Sequence, residues 1–178
     1  MEIKTKTRTR QILTVMYILA WVAFIGLMIE AGAILVSFAV SCVNPEGAKN
    51  LYKGLNLYSL REFNFWHYAQ FVSFMVAIPI MKAYIMFLVV KTLSKVNLVN
   101  PFKIEVALRL ERISYVLFAT WLVSLLSNVY SHWLLKITGE QYENGVSGEY
   151  LFVAGLVYII SQVFKRGVEI QSENELTV

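Results

Sequence analysis

Four long apolar segments follow one another along the chain, and the residues between them carry most of the charge. Each segment is long enough to cross a membrane, because about 20 apolar residues in a helix span the hydrocarbon core of a bilayer. A helix also satisfies its own backbone hydrogen bonds in lipid, which an open sheet cannot do. The pattern therefore predicts an all-α fold, an integral membrane four-helix bundle in a single membrane domain over residues 1–178. Its spans are predicted at about 12–40, 67–90, 113–135 and 148–165.

The segments between the spans form the predicted loops. Residues 44–65 and 136–147 are the outer loops, 92–112 the inner loop, and 166–178 a C-terminal tail. Gly167 in this tail is expected to end the fourth helix, because glycine is common just after a helix C-terminus. In the first outer loop scattered apolar residues are expected to lie along the membrane interface, namely Leu51, Leu55, Leu57, Leu60, Phe63 and Phe65.

A short amphipathic helix is predicted between spans two and three. Asn100 is a typical N-cap residue, and Pro101 suits the first position of a helix. From Lys103 to Arg112 charged residues alternate with apolar ones. This pattern is typical of a helix that lies on the membrane surface, and we expect it to lead directly into span three.

The composition supports a membrane protein and excludes several other classes. The chain is 57 % hydrophobic and 16 % charged, with a mean hydropathy of +0.57. A soluble domain carries about 25 % charged residues, so a soluble enzyme or a nucleic-acid-binding domain is excluded. The single cysteine, Cys42, rules out an internal disulfide and a CxxC redox pair. Motifs of nucleotide binding, hydrolysis and metalloprotease chemistry are also missing from the sequence, so we expect no enzyme activity and no cofactor.

The basic residues predict the orientation of the chain. There are 16 Lys and Arg against 12 Glu, a formal net charge of +4, but the basic residues do not form one stripe. Eleven lie in the N-terminal arm, the link between spans two and three and the C-terminal tail, whereas four lie in the other two loops. By the positive-inside rule both termini are therefore cytoplasmic. The charge indicates orientation rather than direct binding to nucleic acid.

A candidate polar pocket near the outer surface is predicted from polar residues inside the spans. A charge at the bilayer centre costs at least about 2.5–3.5 kcal/mol, so such residues are expected to turn toward one another. Glu30 of span one and His67 of span two reach the same depth as a polar stripe of span three that begins at Ser124. The candidate residues are Glu30, His67, Gln70, Asn128, Ser131 and His132.

This pocket has two interpretations. In the first, the histidines are half-solvated residues of the interfacial aromatic belt, and the serines and asparagine join helices by hydrogen bonds. In the second, the group binds a cation, a metal or a small ligand, or its two histidines ligate haem. The second interpretation would make the chain a permease-like binding protein.

Two stretches of the chain, together with the four-span layout, resemble a known family. One is Asn100-Pro101-Phe102 with the run through Arg109 to Ser114, and the other is Val163 to Gln171 with the ending Glu173-Asn174-Glu175-Leu176-Thr177-Val178. They are similar to a bacterial family of uncharacterised four-span integral membrane proteins, catalogued as a domain of unknown function. Members commonly end in Glu-Asn-Asp-Leu-Thr followed by Ile or Val, so Glu175 is a conservative departure. The resemblance covers nearly the whole chain.

The resemblance implies a location and a partner. Members are proteins of the bacterial cytoplasmic (inner) membrane, often encoded beside a small helix-turn-helix regulator of the Cro type. The leading hypothesis is a non-enzymatic sensing or regulatory membrane protein that sequesters this cytoplasmic regulator, whose basic face an acidic tail would attract. The alternative for the tail is a short solvated segment without a partner. Candidate partner-binding residues are Asn100, Pro101, Phe102, Arg109, Lys165, Arg166, Glu169, Glu173 and Glu175.

Overall fold

The computed structural model describes residues 2–51, 55–96, 102–142 and 148–176, with side chains described from Arg8 to Asn174 within these ranges. All regular secondary structure in these ranges is helical. The elements are α1 (Glu2–Val43), a 3₁₀-helix (Pro45–Lys49), α2 (Tyr58–Phe63), α3 (Phe65–Leu93), α4 (Ile104–Thr138) and α5 (Glu149–Leu176).

Four of these helices are long and apolar enough to cross a membrane. By length and composition, the candidate spans are Arg8–Val43, Phe65–Leu93, Ile104–Thr138 and Glu149–Asn174. The predicted all-α fold with four membrane-spanning helices is thus confirmed for the described part of the chain, and the protein is a multi-pass membrane protein. Each helix is longer than the span predicted for it, so the helical structure extends beyond the apolar segments.

The amphipathic segment before span three is part of α4 rather than a separate helix. Among the described residues α4 begins at Ile104 and continues to Thr138, and it contains no Gly or Pro that would interrupt it. Val106 and Ala107 are buried, whereas Ile104 and Leu108 are exposed, so the segment packs against protein on one side. Asn100 and Pro101, the predicted start of this helix, lie outside the described residues.

The expectation that Gly167 ends the last helix is wrong. The α5 helix passes through Gly167 and continues to Leu176. The glycine at this position allows close packing instead of ending the helix. A Cβ atom placed on Gly167 would lie 2.7 Å from Cε1 and 2.9 Å from Cγ of Phe102. Glycine is therefore required for the close approach of this ring, although it costs a helix interior about 1 kcal/mol relative to alanine.

The chain forms two compact units. The first, which we call the terminal unit, consists of Met1–Phe24, Tyr84–Ala119 and Gly148–Val178. The second, which we call the loop unit, consists of Ile25–Ala83 and Thr120–Ser147. Three helices, α1, α3 and α4, contribute to both units, whereas α5 belongs to the terminal unit alone.

The loop unit has a core to which the 44–65 segment contributes. Two backbone hydrogen bonds keep this segment folded: Leu57 N donates to Ala48 O at 2.8 Å, and Leu51 N donates to Leu55 O at 2.9 Å. Residues of the long helices and residues of the 44–65 segment pack together in one hydrophobic cluster. Its buried members are Ile34, Ala48, Leu51, Leu57, Leu60, Tyr68, Phe71, Val72, Val76, Leu134 and Tyr142.

The apolar residues of the 44–65 segment do not all lie along the membrane interface as expected. Leu51, Leu57 and Leu60 are at most 4 % exposed, whereas Phe63 and Phe65 are 51 % and 41 % exposed. Burying a leucine side chain contributes about 1.5–3 kcal/mol relative to leaving it exposed. The three leucines therefore hold the segment against the protein, and only the phenylalanines face outward.

The terminal unit has a smaller core formed by three helices. Its buried members are Ile85 and Leu88 of α3, Ile113 and Leu117 of α4, and Ala154 of α5. The first part of α1 joins them through Phe24, whose ring centroid lies 5.9 Å from that of Phe87 in α3. All four long helices thus contribute side chains to this unit.

Candidate functional site

His67 of the predicted outer pocket is held by aromatic neighbours. Its Nδ1 atom lies 2.8 Å from the hydroxyl oxygen of Tyr130. The ring of Trp133 meets the imidazole edge-to-face with centroids 5.2 Å apart, and that of Phe63 stacks on it at 6.3 Å. These contacts tie the start of α3 to α2 and to the last turns of α4. The described partners of His67 are therefore structural groups rather than a carboxylate or a second histidine.

The polar stripe of α4 is divided between the interior and the surface of the loop unit. Ser124, Ser127 and Ser131 are buried, and the Ser131 hydroxyl donates a hydrogen bond to the backbone carbonyl of Tyr142. His132 is exposed. At about 100° per residue the three serines fall within an arc of about 60°, and His132 lies about 80° outside it. This placement favours helix packing as the role of the serines.

The remaining pocket residues are less enclosed. Glu30 and Asn128 are half-buried, and Gln70 is exposed. Within the described ranges, no hydrogen bond or ion pair joins any two of the six predicted residues. Nor do those ranges contain a group of three or more His, Cys, Asp or Glu that could hold a metal ion. Ligand binding by this pocket stays a prediction, and no contact of His67 or Ser131 requires it.

The two histidines are expected to differ in their effect on stability. His67→Ala should lower the melting temperature, because it removes a hydrogen bond of about 1 kcal/mol and the ring packing around it. His132→Ala should leave it nearly unchanged, since the side chain is exposed. Thermal unfolding of the purified chain, followed by tryptophan fluorescence in detergent, measures both. An equal loss in the two variants would indicate that the histidines act together, as the pocket hypothesis requires.

A second polar cluster in the loop unit was not predicted from the sequence. The Tyr142 hydroxyl donates to the Glu140 carboxylate at 3.1 Å, and the Ser59 hydroxyl of α2 donates to the same carboxylate. Burial raises the pKa of the Tyr142 phenol, which keeps the ring protonated and a donor. The segment around Tyr142 is polar and acidic, so nothing in its pattern indicated that its tyrosine is buried.

In the terminal unit, an ion pair fastens α5 to α4. Lys165 Nζ lies 2.7 Å from Glu111 Oε1, and both side chains are mostly buried. The Gln162 amide approaches the same carboxylate oxygen at 3.4 Å. Lys165 was predicted as a partner-binding residue, but its charge is neutralised within the chain. Glu111 and Gln162 were not singled out from the sequence, although Gln162 lies three and four residues before Lys165 and Arg166 on the same helix.

Two other predicted partner-binding residues also make contacts within the terminal unit. The Arg109 guanidinium donates to the backbone carbonyl of Lys91, in the last turn of α3. This bond satisfies one of the carbonyls that a helix C-terminus leaves without a partner. Phe102 packs against α5, with its ring centroid 5.5 Å from that of Phe164 and its edge over Gly167. Arg109 and Phe102 thus hold the ends of α3, α4 and α5 together.

The residues of α5 beyond Lys165 form an exposed polar face. Arg166 pairs with Glu169 at 2.7 Å, and both side chains are more than half exposed. Ile170 and Glu173 are exposed as well. The spacing i, i+3, i+4 and i+7 places all four on one side of the helix. We call Glu169, Ile170 and Glu173 the acidic face. The side chain of Glu175 lies outside the described residues.

Comparison with known proteins identifies a family. The family model described as "Protein of unknown function (DUF2975)" matches residues 44–178, which is more than half of the chain. The predicted resemblance to an uncharacterised family is thereby confirmed. No curated protein and no solved structure matches the chain significantly.

Proposed function

We propose that this chain, which belongs to the DUF2975 family of proteins of unknown function, is a non-enzymatic regulatory membrane protein that sequesters a cytoplasmic transcription regulator. It would lie in the cytoplasmic membrane of a bacterium with both termini inside. The observation that carries the proposal is the helical end of α5. This helix continues to Leu176, past its apolar part, and exposes the acidic face.

The acidic face fits a basic protein surface. Glu169 and Glu173 lie one turn apart, and Ile170 between them is 47 % exposed. Glu169 pairs with Arg166, but this pair is more than half exposed, so a basic partner would take the place of Arg166. An apolar residue flanked by carboxylates suits a partner that presents Lys or Arg around a small apolar contact, because complementary charge sets orientation and speeds encounter. The DNA-contacting face of a helix-turn-helix regulator is such a surface. DNA would therefore compete with the acidic face for the regulator.

The acidic face is held in a defined position within the terminal unit. The Lys165–Glu111 ion pair and the Phe102–Gly167 contact fasten α5 to α4 on both sides of Arg166. A surface that is ordered before binding loses less conformational entropy when a partner docks. A solvated tail without a partner would need neither contact.

The charge of the acidic face is expected to decide whether a regulator is retained. In the variant Glu169→Gln/Glu173→Gln, capture of a small helix-turn-helix regulator of the Cro type, the partner class that the family resemblance implies, should fall about tenfold, since two exposed ion pairs of about 0.7 kcal/mol each are lost. Binding is measured by co-purification and titration with the full-length protein in lipid nanodiscs.

The matched control is Glu149→Gln, which removes an exposed carboxylate at the other end of the same helix and should leave capture unchanged. Added operator DNA should release the regulator from the wild-type chain. Full retention by the double variant, or no retention by the wild-type protein, would contradict the proposal.

A further inference from the structure

The junction between α3 and α4 in the terminal unit concentrates basic residues from two helices. Lys91 lies in the last turn of α3, Lys95 lies two residues after its end, and Arg109 and Arg112 lie one to two turns into α4. Glu105, one turn before Arg109, is an acidic neighbour on the same helix. Within the described residues no ion pair forms between any of these four basic side chains and a carboxylate. The positive charge at this junction is therefore not neutralised by the described residues.

Arg109 is anchored by one hydrogen bond, and the described residues take up no other of its donors. Its hydrogen bond to the Lys91 carbonyl anchors the guanidinium at the end of α3. A guanidinium has five N–H donors in a planar fork, and this contact uses one of its two terminal nitrogens. The remaining donors suit a phosphate, which accepts two parallel hydrogen bonds from arginine.

Lys91 is fixed at a depth that a lipid can reach. Its ammonium lies 4.4 Å from the centroid of the Phe87 ring, one turn back along α3. The exposed Lys91 side chain therefore points back along the apolar part of α3. The ring supplies only a partial counter-charge, because the cation–π attraction is weaker than a full ion pair.

We infer that Lys91 and Arg109 bind the phosphate headgroup of an anionic phospholipid at the junction of α3 and α4. Both groups are held at the last turn of α3: the Lys91 ammonium lies over the Phe87 ring, and Arg109 of α4 donates to the Lys91 carbonyl. A phospholipid is favoured over free phosphate because its acyl chains can lie along the apolar surface of α3 beside Phe87. Juxtamembrane basic clusters attract anionic headgroups in this way.

Removal of the Lys91 charge is expected to weaken binding of an anionic lipid selectively. Native mass spectrometry of the full-length protein in detergent, with added phosphatidylglycerol, counts bound lipid directly. In Lys91→Gln the bound fraction should fall about fivefold, the factor that one basic residue contributes near an anionic surface. Lys91→Arg should retain binding, and phosphatidylcholine should bind weakly to all variants.

The control is Lys136→Gln, an exposed lysine in the last turn of α4 and hence in the loop unit, which should bind phosphatidylglycerol as the wild-type chain does. An undiminished bound fraction in Lys91→Gln, or an equal fall in Lys136→Gln, would overturn the inference. Displacement of phosphatidylglycerol by inorganic phosphate would assign the site to a free anion instead of a lipid. The outcome does not depend on any regulator, so it is independent of the proposed function.

Discussion

Replacing Tyr68 with alanine is expected to cost the protein about 3–5 kcal/mol of stability, as other buried aromatic truncations do. Tyr68 of α3 is fully buried in the core of the loop unit. Its ring centroid lies 5.6 Å from that of Phe38 and 6.3 Å from that of Phe65. Truncation removes these contacts and leaves a cavity that the surrounding helices cannot close. Thermal unfolding of the full chain, followed by tryptophan fluorescence in detergent, should show a large fall in melting temperature.

The variant Tyr68→Phe separates the packing of the ring from the hydrogen bond of the phenol. The Tyr68 hydroxyl lies 2.7 Å from Ser41 Oγ. Ser41 donates its single hydrogen to the Phe38 carbonyl, so the phenol donates to the serine. Tyr68→Phe should therefore cost only about 1 kcal/mol. If Tyr68→Phe were as damaging as Tyr68→Ala, the hydroxyl rather than the ring would carry the stability. If both were neutral, this core would not be packed as described.

The long helices could be predicted from the sequence because hydrophobic length in a membrane leaves few alternatives. A run such as that of α3 must be helical in lipid whatever its neighbours are. The placement of the 44–65 segment could not be predicted in this way. The spacing of its leucines indicates one apolar side, but it does not indicate whether lipid or protein covers that side. Leu57 and Leu60 pack against protein, and Phe63, one turn after Leu60, faces outward. Only the tertiary contacts distinguish a membrane-facing side from a buried one.

The contacts of single side chains in the candidate sites also depend on tertiary packing that the sequence pattern does not record. Helical spacing predicted one polar stripe on α4 with Ser124, Ser127, Asn128, Ser131 and His132. The three serines are buried together, Asn128 is half-buried and His132 is exposed. The partners of His67 depend on how α3 and α4 are rotated about their axes. A small rotation decides whether the imidazole meets Tyr130 or another polar residue, and no periodicity in either helix records that angle.

Two glycines show why a residue type can predict opposite structures. Gly139 follows α4 with φ at +74°, a conformation that favours glycine, and its N–H bonds to the Leu135 carbonyl at 2.9 Å. It ends a helix as expected for glycine at that position. Gly167 lies within α5 because the ring of Phe102 needs the space of a missing side chain. A glycine at either position is compatible with a helix end. Gly167 differs from Gly139 because it contacts Phe102 inside a continuous helix.

Gly167→Ala is expected to destabilise the terminal unit although alanine is the better helix former. The added Cβ would overlap the ring of Phe102, and overpacking of this kind costs about 1–3 kcal/mol. That cost exceeds the gain of about 1 kcal/mol from helix propensity. The expected result is a lower melting temperature, measured by thermal unfolding of the full chain in detergent. Gly155→Ala in the same helix is the matched control, since nothing lies within 4 Å of a Cβ there, and it should raise the melting temperature.

Removing Phe102 should reverse the sign of the Gly167 substitution. In a Phe102→Ala background the space above Gly167 is empty, so Gly167→Ala should become stabilising by about 1 kcal/mol, as for an ordinary helix glycine. The double-mutant cycle then gives a coupling free energy of about 1–3 kcal/mol between the two positions, which equals the overpacking cost. Additive effects would mean that Phe102 does not pack on α5. If Phe102 does pack on α5, Phe102→Ala removes one of the two contacts that hold the acidic face, and capture of a regulator should weaken even though every carboxylate is retained.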